Sequence, residues 1–380
     1  MRTLYIHGSA DHYGSAKILL DILHIPGNAS EAMVVLPHDG LLVQDLKKLN
    51  IPVRIINLGI LRRKYFTPLG ILGRIFLWIA AILKLRAMIR KEKIERIYIN
   101  SANVIIGPFL KSRGIQLVWH IHEIVEQPAV LRNILCRLFL QADQLITVSK
   151  AAQSFWSAHA RSDRFQLLYN GMDTSRFKEA KPNRKKYCPA ATENDLIIGM
   201  IGRIQPWKGQ SYFLEIMHQY YEHHAPAIDQ KALVCIAGDP YPGNEHLTEE
   251  LMINIKGKGM EKQVTYNGYV YNTPEWMASI DILVLPSVQP DPLPTVVLEA
   301  MSAGKPVLAT AQGGALEMVE ADKTGLFLPL GDAAAAAAVL ARLIRDKKMR
   351  GELGENAQER VERLFSAERF AIDWHRLLNS

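Results

Sequence analysis

Four ionisable side chains in the latter half of the chain are spaced to do chemistry together: Arg203, Lys208, Asp291 and Glu299. Arg203 and Lys208 lie in Gly202-Arg203-Ile204-Gln205-Pro206-Trp207-Lys208-Gly209, directly after an apolar run from Leu196 to Ile201. The glycines admit a close backbone approach, the arginine fork matches phosphate oxygens, and the lysine adds a point charge. Together the two cations balance the roughly two negative charges of a nucleoside diphosphate. Asp291 and Glu299 bracket Pro292-Leu293-Pro294-Thr295, where a proline-rich loop releases into a short helix that stops at Gly304. The start of such a helix, near Thr295, turns free N–H groups toward an anion. Carboxylates repel phosphate, so their presence here suits hydroxyls next to a phosphate, as in a nucleotide sugar. The simpler alternative is an ordinary crossover whose acids cap a helix.

Two further stretches carry chemistry in the first half. His120-Ile121-His122-Glu123 follows a strand from Gln116 to Trp119, and a histidine just past a parallel strand's carboxyl end lies where doubly wound folds bind ligands. Its imidazole can hydrogen-bond a sugar hydroxyl or a leaving phosphate, and either His120 or His122 is placed to do so. A metal pair has the same spacing, but no third ligand is evident. The glycine-containing loop from His7 to Ala16 opens a helix, and its small residues, Gly14 among them, let a phosphate or sugar approach the backbone. Its spacing is not that of a dinucleotide fingerprint.

The elements that must position these residues alternate throughout. Apolar runs at Thr3 to Ile6, Ala32 to Leu36, Val53 to Ile56, Arg96 to Ile99, Gln116 to Trp119 and Leu145 to Val148 read as buried strands separated by helices. After the Asn170-Gly171 turn, the chain becomes polar and basic from Thr174 to Asp195 and loses periodicity. Strands resume at Leu196 to Ile201, Ala232 to Ala237, Val264 to Tyr266, Ile282 to Leu285 and Val307 to Thr310. The expected class is α/β: a first domain over 1–175, a linker over 176–195 and a second doubly wound domain over 196–365. A length of 380 residues suits two such cores.

Cys136, Cys188 and Cys235 form no CxxC pair, so neither a zinc site nor a disulfide framework is indicated. The start runs straight into a strand without a signal-peptide run, and a reducing cytosol is the expected location. The net charge of +7 is concentrated: Ile60 to Lys93 holds nine Lys or Arg and one acid, +8 in all, leaving −1 for the remainder. One basic, apolar segment points to anionic lipid or an anionic acceptor, where a basic whole surface would point to nucleic acid. Within it, Tyr65 to Leu83 has nineteen residues and a single charge, Arg74. That central charge, with Pro68, Gly70 and Gly73, argues against a spanning helix. The basic flanks, Arg62, Arg63 and Lys64 on one side and Lys84, Arg86, Arg90, Lys91 and Lys93 on the other, suit a helix resting on a membrane surface. A core-packed helix with a solvated basic end is the alternative, since the charges do not segregate onto one helical face.

At Asp291 to Thr310 the chain resembles the retaining glycosyltransferases of family four, whose signature is Glu, seven residues, Glu, then Ala-Met-Ala-x-Gly-x-Pro-Val. The spacing is kept, Asp291 stands for the first Glu, and Leu293-Pro294 stands for the usual Phe-Gly. Arg203 and Lys208-Gly209 match the family's second motif, His122-Glu123 its histidine and acid, and Asn170-Gly171-Met172-Asp173 the end of its first domain. The resemblance implies a GT-B fold, two Rossmann-like domains facing across a cleft, with the last helix (366–380) packed back on the first domain. It implies transfer of a sugar, with retention, from a nucleoside diphosphate sugar to a saccharide or lipid-linked saccharide, as in bacterial surface polysaccharide assembly. Arg203 and Lys208 would stabilise the departing diphosphate, with Pro292, Leu293, Pro294 and Thr295 lining it. Glu299 would hold the ribose, Asp291 the sugar hydroxyls and His122 the sugar or phosphate, with Gly14 opposite the donor. No two aspartates are separated by one residue, so a metal-independent reaction without a cofactor is expected. The alternatives are a nucleotide-sugar epimerase of related fold and a non-catalytic nucleotide-sugar-binding subunit.

Overall fold

The computed structural model describes residues 1–11, 13–60 and 67–379. It divides into two compact units, Met1–Gly171 with Phe370–Ser380, and Met172–Arg369. The first unit runs β1 (Thr3–Ile6), α1 (Gly14–His24), β2 (Ala32–Leu36), α2 (Leu41–Lys48), β3 (Val53–Ile55), α3 (Pro68–Lys91), β4 (Arg96–Ile99), β5 (Gln116–Ile121), α4 (Ala129–Phe139), β6 (Gln144–Thr147), α5 (Lys150–Ala160) and β7 (Phe165–Leu167). Its seven strands are parallel in the order β3-β2-β1-β4-β5-β6-β7. Short runs such as Thr3–Ile6, buried at every residue, form such a sheet because helices cover both of its faces. Strand order reverses between β1 and β4, which opens a crevice beyond their carboxyl ends.

The second unit runs α6 (Ser175–Lys178), α7 (Arg184–Tyr187), β8 (Leu196–Ile201), α8 (Gln210–His223), β9 (Ala232–Ala237), α9 (His246–Gly257), β10 (Val264–Tyr266), α10 (Thr273–Ser279), β11 (Ile282–Leu285), α11 (Thr295–Ser302), β12 (Val307–Thr310), α12 (Ala315–Met318), β13 (Gly325–Leu328), α13 (Ala333–Arg345) and α14 (Lys347–Leu364). Its six strands take the order β10-β9-β8-β11-β12-β13. The reversal falls between β8 and β11, so the loops after these two strands meet at the crevice. The segment 176–195, read from its polarity as a linker, is built into this unit. Asn183 caps α7 through its side chain, Tyr187 and Cys188 are buried, and Arg184 pairs with Asp281 at 2.9 Å. Composition misleads here because a few buried anchors suffice to dock an otherwise solvated stretch.

The last helix, α15 (Ala367–Asn379), buries Phe370, Trp374 and Leu378 in the core around Tyr5, Leu19 and Tyr98 of the first unit. α3 has two apolar faces. One, with Ala81, Leu85 and Ile89, packs in the core, and Trp78 joins it by donating its indole N–H to the Gly59 carbonyl at 2.9 Å. The other, Leu69, Leu72, Phe76, Ile79 and Leu83, recurs every three or four residues and is exposed, Phe76 to 66%. The same line continues into exposed Arg86 and Arg90, so the basic end does share a face with the outer apolar stripe. Arg62, Arg63 and Lys64 of the expected flank lie outside the described residues. Among the described residues, no helix is long and apolar enough to cross a membrane.

Candidate active site

In the second unit the chemistry gathers where the loops after β8 and β11 meet. Gly209 is the pivot: its φ of +82° is left-handed, and a Cβ there would overlap the Pro286 carbonyl. The Val288 N–H donates to the Trp207 carbonyl at 2.8 Å and ties the two loops together. Lys208 Nζ then lies 2.5 Å from Asp291 Oδ2, with both side chains largely buried. The ammonium also sits 4.4 Å from the centre of the Trp207 ring. The residue expected to face phosphate and the residue expected to face the sugar are thus in direct contact.

Arg203 is buried, and its guanidinium stacks 3.4 Å from the centre of the Tyr241 ring. Stacking occupies the guanidinium face, while hydrogen bonds leave its edge. The Gln210 side chain donates to the Arg203 carbonyl at 3.0 Å and fixes the backbone there. Asp291 is held from the far side by Gly313 and Gly314. The Gly314 N–H donates to the Asp291 carbonyl at 2.8 Å, and a Cβ on Gly314 would overlap the Pro292 carbonyl. Leu293 and Pro294 are buried and Pro292 half-buried, and Pro294 precedes α11 without a side-chain cap. The N–H groups near Thr295 are therefore not taken up by a capping side chain at the end of the expected anion path. Glu299 lies one turn further along α11 and is 1% exposed.

In the first unit, His7 follows β1, Asn100 follows β4, and His120 and His122 belong to β5 and its end. His120 is fully buried, 2.8 Å from the Tyr98 hydroxyl, and burial pushes its imidazole down to about 3. It is a core residue. His122 is half-buried, with Nε2 2.9 Å from Asn100 Oδ1. Burial, then the neighbouring His120 and His7, hold it well below the usual imidazole range. The Glu123 carboxylate accepts from Ser101 Oγ at 2.6 Å, the Ala102 N–H at 2.8 Å and the His122 N–H at 3.1 Å, so this acid positions backbone. Gly14 opens α1, and a Cβ there would meet nothing within 4 Å.

Sequence reasoning missed Tyr241, Asn100 and Ser287. Tyr241 and Asn100 meet their partners only through the sheet's strand order, which leaves no local signal. Ser287 lies in the loop after β11, and its Oγ is buried without a hydrogen-bond partner. Among the described residues no cluster of three or more His, Cys, Asp or Glu is arranged to hold a metal ion.

Comparison with known proteins shows the family and the fold. The model of the group 1 glycosyl transferases matches residues 183–360, and that of glycosyltransferase family 4 matches residues 34–176. The chain belongs to these glycosyltransferases, and its two parallel sheets are those of the GT-B fold. It is 27% identical over 297 residues to a GDP-mannose-dependent alpha-(1-6)-phosphatidylinositol monomannoside mannosyltransferase of Mycobacterium tuberculosis, covering 73% of this chain and 74% of that one. An uncharacterized glycosyltransferase of Methanocaldococcus jannaschii is 26% identical over 60% of this chain, and the match spans only 57% of that relative. The crystal structure of Anabaena HepE with UDP and glucose superposes over 100% of both chains, with a TM-score of 0.85 and 25% identity.

Proposed function

We propose that the protein transfers a sugar, with retention of configuration and without a metal ion, from a nucleoside diphosphate sugar to a saccharide or lipid-linked saccharide. The observation that carries this reading is the Lys208–Asp291 pair at the crevice of the second sheet. It sets a phosphate-attracting cation against a hydroxyl-binding carboxylate, as the junction between a diphosphate and its sugar demands. Breaking the anomeric bond leaves negative charge on the diphosphate. Arg203, Lys208 and the N–H groups near Thr295 stabilise it in place of a metal ion. Glu299 holds ribose hydroxyls, Asp291 holds sugar hydroxyls, and His122 orients the sugar. The end-to-end likeness to HepE supports a UDP-sugar as the first donor to try.

The exposed apolar stripe of α3 and the basic residues that continue it support docking on an anionic membrane, where a lipid-linked acceptor would be met. Assembly of a bacterial surface polysaccharide fits that placement. The test is a screen of UDP-, GDP- and ADP-sugars against free and lipid-linked saccharides with chelator present, with NMR of the product's anomeric centre. Transfer that keeps the donor's configuration is expected. An inverted product, turnover only with added metal, or conversion of the donor without acceptor would overturn the reading, the last in favour of an epimerase.

A further inference from the structure

At the crevice of the first sheet, one amide decides what His122 can bind. Asn100 Nδ2 donates to the Ser15 carbonyl at 2.8 Å. A carbonyl only accepts, so the amide is fixed with Oδ1 toward His122 Nε2, 2.9 Å away. Oδ1 also only accepts, so the proton of the ring sits on Nε2. The ring is neutral, held so by burial beside His120 and His7, and its Nδ1 is then a bare lone pair. Among the described residues, Nδ1 has no hydrogen-bond partner.

We infer that Asn100 is a positioning residue that fixes His122 in the Nε2–H form, so that Nδ1 accepts a hydrogen bond from a sugar hydroxyl and cannot serve a phosphate oxygen. This rests on the reading of His122 as a substrate-facing residue. A phosphate oxygen opposite Nδ1 would set two acceptors face to face, whereas a hydroxyl donates. The surroundings preserve the neutral state. His7 places Nδ1 2.9 Å from the Asn100 backbone carbonyl, which fixes its own proton there and leaves the 3.3 Å approach of Asn100 Nδ2 to that atom as a contact between two donors. His120 is engaged by Tyr98, Glu123 by three donors, and Asp11 acts through space on His7. The fixed amide therefore leaves the ring one role, that of acceptor.

The test labels the histidines of the full chain with ¹⁵N and reads tautomer and titration by NMR. His122 should show the Nε2–H form and half-titrate below its ordinary value of 6.5. In Asn100→Asp a carboxylate beside Nε2–H favours the imidazolium, raising that midpoint by about 1–3 pH units. Transfer by this variant should then fall away as pH drops through the raised midpoint and recover above it, while Asn100→Ala loses turnover without acquiring that acid limb. Donors lacking one sugar hydroxyl at a time identify the contact: one should cost the wild type about tenfold or more, and His122→Ala should be indifferent to that same deletion. An Nδ1–H form in the wild type, an unmoved midpoint in Asn100→Asp, or a His122→Ala variant that feels every deletion as the wild type does would overturn the inference. The NMR reading needs no substrate. A chain inactive toward every donor yet showing the expected tautomer and shift would support the fixed proton and overturn the transferase reading instead.

Discussion

Asp291 is one methylene shorter than the glutamate of the family pattern, a difference of about 1.5 Å in reach, and its partner Lys208 takes up the charge at 2.5 Å. Asp291→Asn keeps the shape, removes the negative charge beside Lys208 and, on the proposed reading, leaves Lys208 to the diphosphate. Nucleotide affinity should hold or rise while transfer falls by about a hundredfold; titration calorimetry beside a transfer assay checks this, and a parallel loss of both would show that the carboxylate only buttresses the loop. Three histidines of the first unit carry a second expectation. His7, His120 and His122 all have imidazoles held low by burial, so each is neutral when folded and takes up a proton on unfolding near pH 6.5. Their contribution is complete above that pH and is lost below it, by up to about 1.4 kcal/mol per pH unit for each group. Glu123, raised by burial, has the opposite sign but is one group against three. Melting temperature should therefore fall between about pH 7.5 and about pH 5.5, less steeply in His120→Gln; equal slopes would contradict this. Arg203, Lys208, Asp291 and Glu299 stand out as candidates in the sequence because charge beside glycine and proline has few structural uses. Tyr241 and Asn100 were not, because an aromatic and an amide are ordinary in loops until the strand order supplies their partners.

At the scale of elements, the central strands were legible because parallel sheets buried on both faces need unbroken apolar runs, whereas the short edge strands β7 and β13 do not stand out and the edge strand β3 leaves Arg54 and Ile55 exposed. The docking of 176–195 was not, since it depends on Tyr187, Cys188 and the Arg184–Asp281 pair. The Gly313–Gly314 turn is a mechanical support for the loop that carries Asp291. Gly314→Ala drives a methyl group into the Pro292 carbonyl, which should cost about 1–3 kcal/mol and weaken donor binding by shifting Asp291 to Leu293. Unchanged melting and unchanged affinity would show that the loop is held elsewhere. The two-faced helix α3 gives a separate expectation. Replacing Arg90 and Lys91 by Ala should remove about 1 kcal/mol of attraction each, roughly a thirtyfold loss of binding to anionic vesicles. Replacing exposed Phe76 by Asp should abolish the remainder without unfolding the chain. Equal sedimentation of wild type and variants, or binding to neutral phosphatidylcholine as strong as to phosphatidylglycerol, would contradict membrane docking.

At the scale of the molecule, each sheet reverses its strand order beside its first strand, and polar side chains gather at each reversal: His7, Asn100 and His122 in the first unit, Arg203, Lys208 and Asp291 in the second. The charge follows the same economy: +8 is concentrated in one segment and the remainder is nearly neutral. The donor's charge must then be met by a few placed cations, because the general surface field is weak. Everything in the proposed reaction depends on Arg203 and Lys208 gripping a diphosphate without a metal ion. The most direct measurement is calorimetric titration of UDP and GDP in the presence of chelator, into the wild type and into Arg203→Ala and Lys208→Ala. Binding by the wild type that weakens about a hundredfold in Arg203→Ala and at least tenfold in Lys208→Ala is the expected result. Nucleotide affinity that vanishes with chelator, or that survives both substitutions intact, would contradict it.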